Sequence, residues 1–256
     1  MLDALRRWRN RRTLTRRPIP DALWLATLAR FPFLTRLDVD DGQQLREMST
    51  LFLDRKEFNG AHDLVITDDM AVAIAAQACL PILRLGLEWY DSFVGIVVHA
   101  DEVVARREVM DEDGVVHHYD EPLSGEAMEG GPVTLSWQDV ADAGNSAEWG
   151  YNVVIHEFAH VLDMRDGEAN GMPALPSRSA QLEWKTIFEA NYDSFCARVE
   201  AGEDTLLDPY GAEAPSEFFA VACEAFFVAP HDLQAEHPQV YAQLQQFFQQ
   251  DPALRA

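Results

Sequence analysis

Along residues 41–58 (DGQQLREMSTLFLDRKEF) the apolar positions Leu45, Met48, Leu51, Phe52 and Phe58 recur at helical spacing, which predicts a helix with one buried face. A shorter helix is expected from Asp21 to about Arg30, after Pro18 and Pro20 have broken the preceding segment. Thr67-Asp68-Asp69 offers N-cap residues for a strongly apolar helix over Met70–Leu80. The pattern then changes. Phe93–Val98 is a short β-branched run of the kind that forms a buried strand. Arg106–Met110 and Val115–Tyr119 flank Asp111-Glu112-Asp113-Gly114, a hairpin signal. Pro132–Trp137 reads as another strand, and its leading proline suits a sheet edge. Helical periodicity returns at about Ala147–Met164, Ser179–Glu200, Ser216–Val228 and His237–Gln249. Helices, a small mixed sheet and further helices describe an α+β fold. Its longest apparent loop is 165–178, directly after the helix that ends near Met164.

A chain of 256 residues can bury a core without covalent staples. Its charge is lopsided. Residues 1–20 hold seven arginines and one acid, Asp3, a local charge of +6, while the remainder carries 13 basic against 42 acidic residues, or −29. The expected organisation is a basic N-terminal segment, 1–20, ahead of one domain over 21–256. The segment could meet an anionic membrane, nucleic acid or the acidic body of the protein itself, and docking on that body is the plain expectation. A net charge of −23 argues against nucleic acid as the main partner. The three cysteines, Cys79, Cys196 and Cys223, form no CxxC pair and sit in apolar sequence, as small buried residues do in a reducing compartment. No apolar stretch follows the arginines as a secretory signal would require. The longest apolar run, Ala71–Leu83, is interrupted by Gln77 and Pro81 and is too short for a membrane span. A cytoplasmic location is therefore expected.

The candidate chemistry lies in Val153–Leu162, which contains His156-Glu157-Phe158-Ala159-His160. On a helix, histidines four apart project from one face and can share an ion, for which zinc is the expected choice, one per chain. Glu157 then stands beside the metal, placed to take a proton from an activated water. The rest of the helix is apolar, so satisfied core histidines are the bland alternative. Burying two imidazoles and a carboxylate is costly unless something pairs them.

A catalytic zinc site needs a third protein ligand. No third histidine follows at the HExxHxxGxxH spacing, where positions 163 and 166 are both Asp. Glu217, at the start of the apolar helix Ser216–Val228, is the best candidate, and Glu224, one heptad on, competes with it. Glu217 could equally serve the N-terminus of that helix as a capping acid.

Residues 156–164 (HEFAHVLDM), Leu207-Asp208-Pro209-Tyr210-Gly211 and Glu217–Val221 closely resemble the Mlc titration factor A family of zinc metallopeptidases. The resemblance extends to Ile74–Leu80, Leu123–Ala127 and Val133–Trp137, and covers the chain from about Leu51 to its end. The family is also similar to the catalytic core of anthrax lethal factor. The resemblance implies a zincin-like domain with an HExxH active-site helix, flanked by additional helices. It implies that His156, His160 and Glu217 bind zinc, that Glu157 is the general base, and that Tyr210 lies beside the metal as a weak ligand or an oxyanion donor. Asp163 and Glu224 are candidates to orient the imidazoles. Val133–Trp137 would be the edge strand that receives an extended peptide.

By this resemblance the expected activity is an aminopeptidase-like hydrolysis of short peptides. A second expectation comes from the family's name: capture of the glucose-responsive repressor Mlc, with peptidase activity secondary. A third is a pseudo-enzyme whose zinc is structural, with Tyr210 as a firm fourth ligand.

Overall fold

The computed structural model describes residues 2–101, 103–110, 116–123, 125–146 and 150–255. Three helices open the chain: α1 (Leu2–Arg16), α2 (Asp21–Arg30) and α3 (Val39–Arg55). Asp38 starts α3 by accepting the Asp41 N–H, and Arg55 ends it. The helix expected through Phe58 therefore stops three residues early. Lys56 is extended and donates to the carbonyls of Tyr90 and Phe93, and the Glu57 N–H bonds the Val94 carbonyl. Phe58 thus belongs to a strand, β1 (Glu57–Gly60). Thr67 caps α4 (Asp68–Cys79), as its sequence predicts.

The sheet continues with β2 (Gly95–His99). A separate antiparallel pair follows, β3 (Val103–Met110) and β4 (Val116–Leu123). The turn expected at 111–114 lies outside the described residues. Then come β5 (Gly125–Ala127) and β6 (Val133–Ser136). In the four-stranded sheet the order is β1-β2-β6-β5, with β1, β2 and β6 parallel and β5 antiparallel to β6. The expectation that Val133–Trp137 is an edge strand is wrong. β6 is bonded on both sides, because the short β5, which carries no strong strand signal of its own, pairs along it. Pro132 precedes the strand and removes no ladder bond. Trp137 is not in the strand but opens α5 (Trp137–Ser146), where the Ser136 hydroxyl accepts the Asp139 N–H.

The remaining helices are α6 (Val153–Asp163), α7 (Arg178–Glu200), α8 (Pro215–Val228), α9 (Pro230–Glu236) and α10 (Pro238–Phe248). Helix α6 begins later than expected because the Asn152 side chain caps it, accepting the Ile155 N–H at 3.0 Å. It lies between α8, α4 and the β5–β6 side of the sheet. Phe158 faces away from the histidines into a cluster with Phe52, Tyr90 and Phe93, at ring distances of 5.8, 4.9 and 5.8 Å. Along α8, every residue from Phe218 to Val228 is buried, Glu224 included. Two helices locked this firmly into the core can hold polar side chains between them with little freedom to move.

Candidate metal centre

Two helices bring the polar residues together. His156 and His160 leave the same face of α6, and Glu217 enters from the first turn of α8. Glu217 Oε2 lies 3.0 Å from His156 Nε2 and 3.2 Å from His160 Nε2, and the two Nε2 atoms are 3.2 Å apart. Zinc bonded tetrahedrally to nitrogen and oxygen at ~2.0–2.1 Å would separate its ligand atoms by about 3.3 Å. The three donor atoms form a triangle of that size. Among the described residues they are the one group of three or more His, Cys, Asp or Glu side chains placed to share an ion.

Glu224 does not compete with Glu217. Its Oε1 lies 2.7 Å from His156 Nδ1, on the far side of the ring, and its Oε2 accepts the Asn152 backbone N–H. The Asn152 side chain in turn donates to Gln77 Oε1 at 2.8 Å. A carboxylate on Nδ1 fixes the tautomer that leaves Nε2 free to ligate. Asp163 holds a different place: its Oδ2 accepts the Gly171 N–H at 2.7 Å, and no hydrogen bond joins it to either imidazole. It anchors the start of the loop after α6.

Glu157 is 5% exposed, and its Oε2 has no hydrogen-bond partner among the described residues. It sits directly under β5. A Cβ on Gly125 would come within 2.5 Å of Glu157 Cγ and Oε1, so only glycine lets the strand pass there. Tyr210, 38% exposed, lies in a short 3-10 turn at Pro209–Ala212 that Asp208 starts by accepting the Tyr210 N–H. Its ring centre is 6.1 Å from that of His156.

The electrostatics describe a site short of positive charge. Burial raises Glu157 to about 7, although His156 and His160 oppose the shift. Burial also raises Glu224, against the pull of His156. Burial would raise Glu217 as well, but its hydrogen bonds to His156 and His160 win and hold it well below the carboxylate range. Burial would lower His156, yet Glu224 and Glu217 outweigh it and hold the ring well above its ordinary value. With neutral imidazoles, three carboxylates would face each other in a buried space. A divalent cation would balance them.

The sequence placed His156, Glu157, His160, Tyr210 and Glu217, and the fold brings all five to one locality. Asn152 and Gln77 received no role from the sequence, although a glutamine within a wholly apolar helix and an asparagine three residues before Ile155 are both readable signals. Gly125 gave no local signal of its contact with Glu157.

Two histidines and two glutamates arranged this way on buried helices are the equipment of a metallopeptidase. Within that class, the chain belongs to the glucose-regulated metallo-peptidase M90 family, whose sequence model matches residues 5–249. It is 37% identical over 249 residues to the uncharacterized protein slr2042 of Synechocystis sp., covering 96% of this chain and 90% of the relative. It is 35% identical over 235 residues to Mlc titration factor A of Pectobacterium atrosepticum, covering 91% and 87%. To Mlc titration factor A of Yersinia pestis it is 33% identical over 237 residues, covering 91% and 86%. No described helix is long and apolar enough to cross a membrane.

Proposed function

We propose that the chain is a zinc-dependent, aminopeptidase-like hydrolase of peptides, with His156, His160 and Glu217 holding the metal and Glu157 as general base. The observation that carries this reading is the triangle of donor atoms, 3.0, 3.2 and 3.2 Å on its sides, beside a buried glutamate with an oxygen to spare. Zinc bound there would supply a Lewis acid for the scissile carbonyl and bring water within reach of deprotonation near neutral pH.

The chain's own residues do the rest. Glu157 Oε2 accepts the proton of the attacking water and delivers it to the leaving amine nitrogen. Burial favours this, since a base held near 7 can both take and return a proton at neutral pH. Glu224 keeps His156 in the ligating tautomer. Tyr210 stands beside His156 as a donor to the oxyanion of the tetrahedral intermediate. An extended peptide would lie along β5, which has β6 as its one strand partner among the described residues and passes over Glu157. The test is a panel of chromogenic aminoacyl substrates, each with a free and with a blocked amino terminus. An aminopeptidase-like enzyme cleaves the free series alone. Equal cleavage of both would replace that reading with a less selective peptidase.

A second reading is supported by the name of two relatives, Mlc titration factor A: a regulatory protein that binds a sugar-responsive repressor of the Mlc kind. The two are compatible. Capture of such a repressor by the Glu157→Gln protein would separate binding from hydrolysis.

A further inference from the structure

Helix α1 has two unlike faces. One is seated on the body. Arg6 pairs with Glu88 at 3.1 Å, Thr13 donates to Asp54 at 3.1 Å, Arg55 donates to Asn10 at 3.1 Å, and Leu14 packs on the core. Arg17, just beyond the helix, lies 3.6 Å from Asp54. The expected docking of the basic segment on the acidic body therefore accounts for two of its seven arginines, Arg6 and Arg17.

The opposite face does something else. Arg11, Arg12 and Arg16 are exposed and make no ion pair among the described residues. Alongside them stand two large apolar side chains, Leu5 at 57% and Trp8 at 55% exposure, with the Arg12 guanidinium 5.5 Å from the Trp8 ring centre. On a chain that is −29 outside its first twenty residues, this is a basic and aromatic surface with no acid paired to it among the described residues.

We propose that this face of α1 docks the protein on an anionic lipid surface, lying along the bilayer without spanning it. Arginines ringing a tryptophan and a leucine are the composition of an interfacial helix: the cations meet headgroups while the apolar side chains enter the headgroup–acyl boundary. The acidic body does not prevent this. A helix is ~10 Å across and charges are screened over ~8 Å at physiological salt, so α1 in contact with lipid keeps the body beyond effective repulsion. A nucleic acid would engage the arginines but leave the exposed Leu5 without a role. The inference does not depend on the chemistry of the metal centre.

The test is co-sedimentation of the full chain with vesicles of phosphatidylcholine alone and of phosphatidylcholine with a third of phosphatidylglycerol. The anionic vesicles should bind the protein and the neutral ones should not, with binding falling as salt rises. Each cation near such a surface is worth roughly a fivefold factor, so Arg11→Glu/Arg12→Glu/Arg16→Glu should cut partitioning by more than about a hundredfold. Trp8→Ala should weaken it by a smaller factor. All four positions are exposed, and an unchanged melting temperature verifies that the variants remain folded. No binding to anionic vesicles, equal binding to neutral ones, or a triple variant that binds as the parent does would each overturn the proposal. So would binding to duplex DNA or polyglutamate in place of the vesicles.

Discussion

Glu224 and His156 meet through the ring nitrogen that faces away from Glu217: Oε1 to Nδ1 is 2.7 Å, while His156 Nε2 lies 3.0 Å from Glu217 Oε2. One imidazole thus joins two glutamates of the same helix, α8, seven residues apart, and only one of them faces the triangle. The division follows from the helix itself: residues seven apart share a face but stand about 10 Å apart along the axis, so one can reach each side of the ring.

The arrangement predicts unequal effects of two similar substitutions. Glu217→Gln removes a charged donor from the triangle and should abolish tight zinc binding. Glu224→Gln preserves volume and one hydrogen bond but loosens His156, and should weaken zinc affinity by roughly 10- to 100-fold. Competition with a fluorescent zinc chelator measures both. Equal affinity losses would show that the two glutamates are not divided as described.

Gly125 is predicted to be intolerant of a single methyl group. The added Cβ would lie 2.5 Å from Glu157 Cγ and Oε1, so either β5 or the Glu157 side chain must move. Displacement of a reacting group by about 1 Å can cost on the order of 100-fold in rate. Gly125→Ala should therefore lower kcat by about that factor while retaining zinc. Undiminished kcat would place Glu157 outside the reaction.

Asp163 should make stability depend on pH. Burial raises it from 3.8 to about 6, the Gly171 N–H opposing only in part. The folded protein therefore holds this proton more tightly than the unfolded chain does. The resulting stability is fully present below 3.8 and is lost as pH rises through 6. Asp163→Asn keeps an acceptor for Gly171 and cannot ionise. Its stability relative to the parent should improve by up to roughly 3 kcal/mol between about pH 4 and pH 7, by urea unfolding. A difference that stays constant with pH would refute the assignment.

Much of this was readable in advance, for reasons that individual residues make clear. Helix α8 announces itself because its apolar residues run unbroken from Phe218 to Ala222, and the two histidines of α6 declare their shared face by spacing alone. The start of α6 was misread because Asn152 acts as a cap through one local bond, which hydrophobic periodicity does not register. Strands β1 and β5 are four and three residues long, too short to carry a pattern, and missing β5 turned β6 into an apparent edge. The partition between Glu224 and Asp163 rests on contacts 68 and 8 residues apart in sequence, one across helices and one to a loop N–H. No spacing rule distinguishes them. The two faces of α1 were equally hidden, because a count of arginines does not say which of them find a carboxylate.

The central claim is that Glu157 is the base of a zinc peptidase, and it is tested most directly by comparing the parent protein with Glu157→Gln for bound zinc and for peptide hydrolysis in the same preparations. Both should hold about one zinc, since Glu157 is not among the three donors. Hydrolysis should fall by at least ~100-fold in the variant, the lower range for loss of a general base. Full activity in the Glu157→Gln protein, or absence of zinc from the parent, would contradict the account.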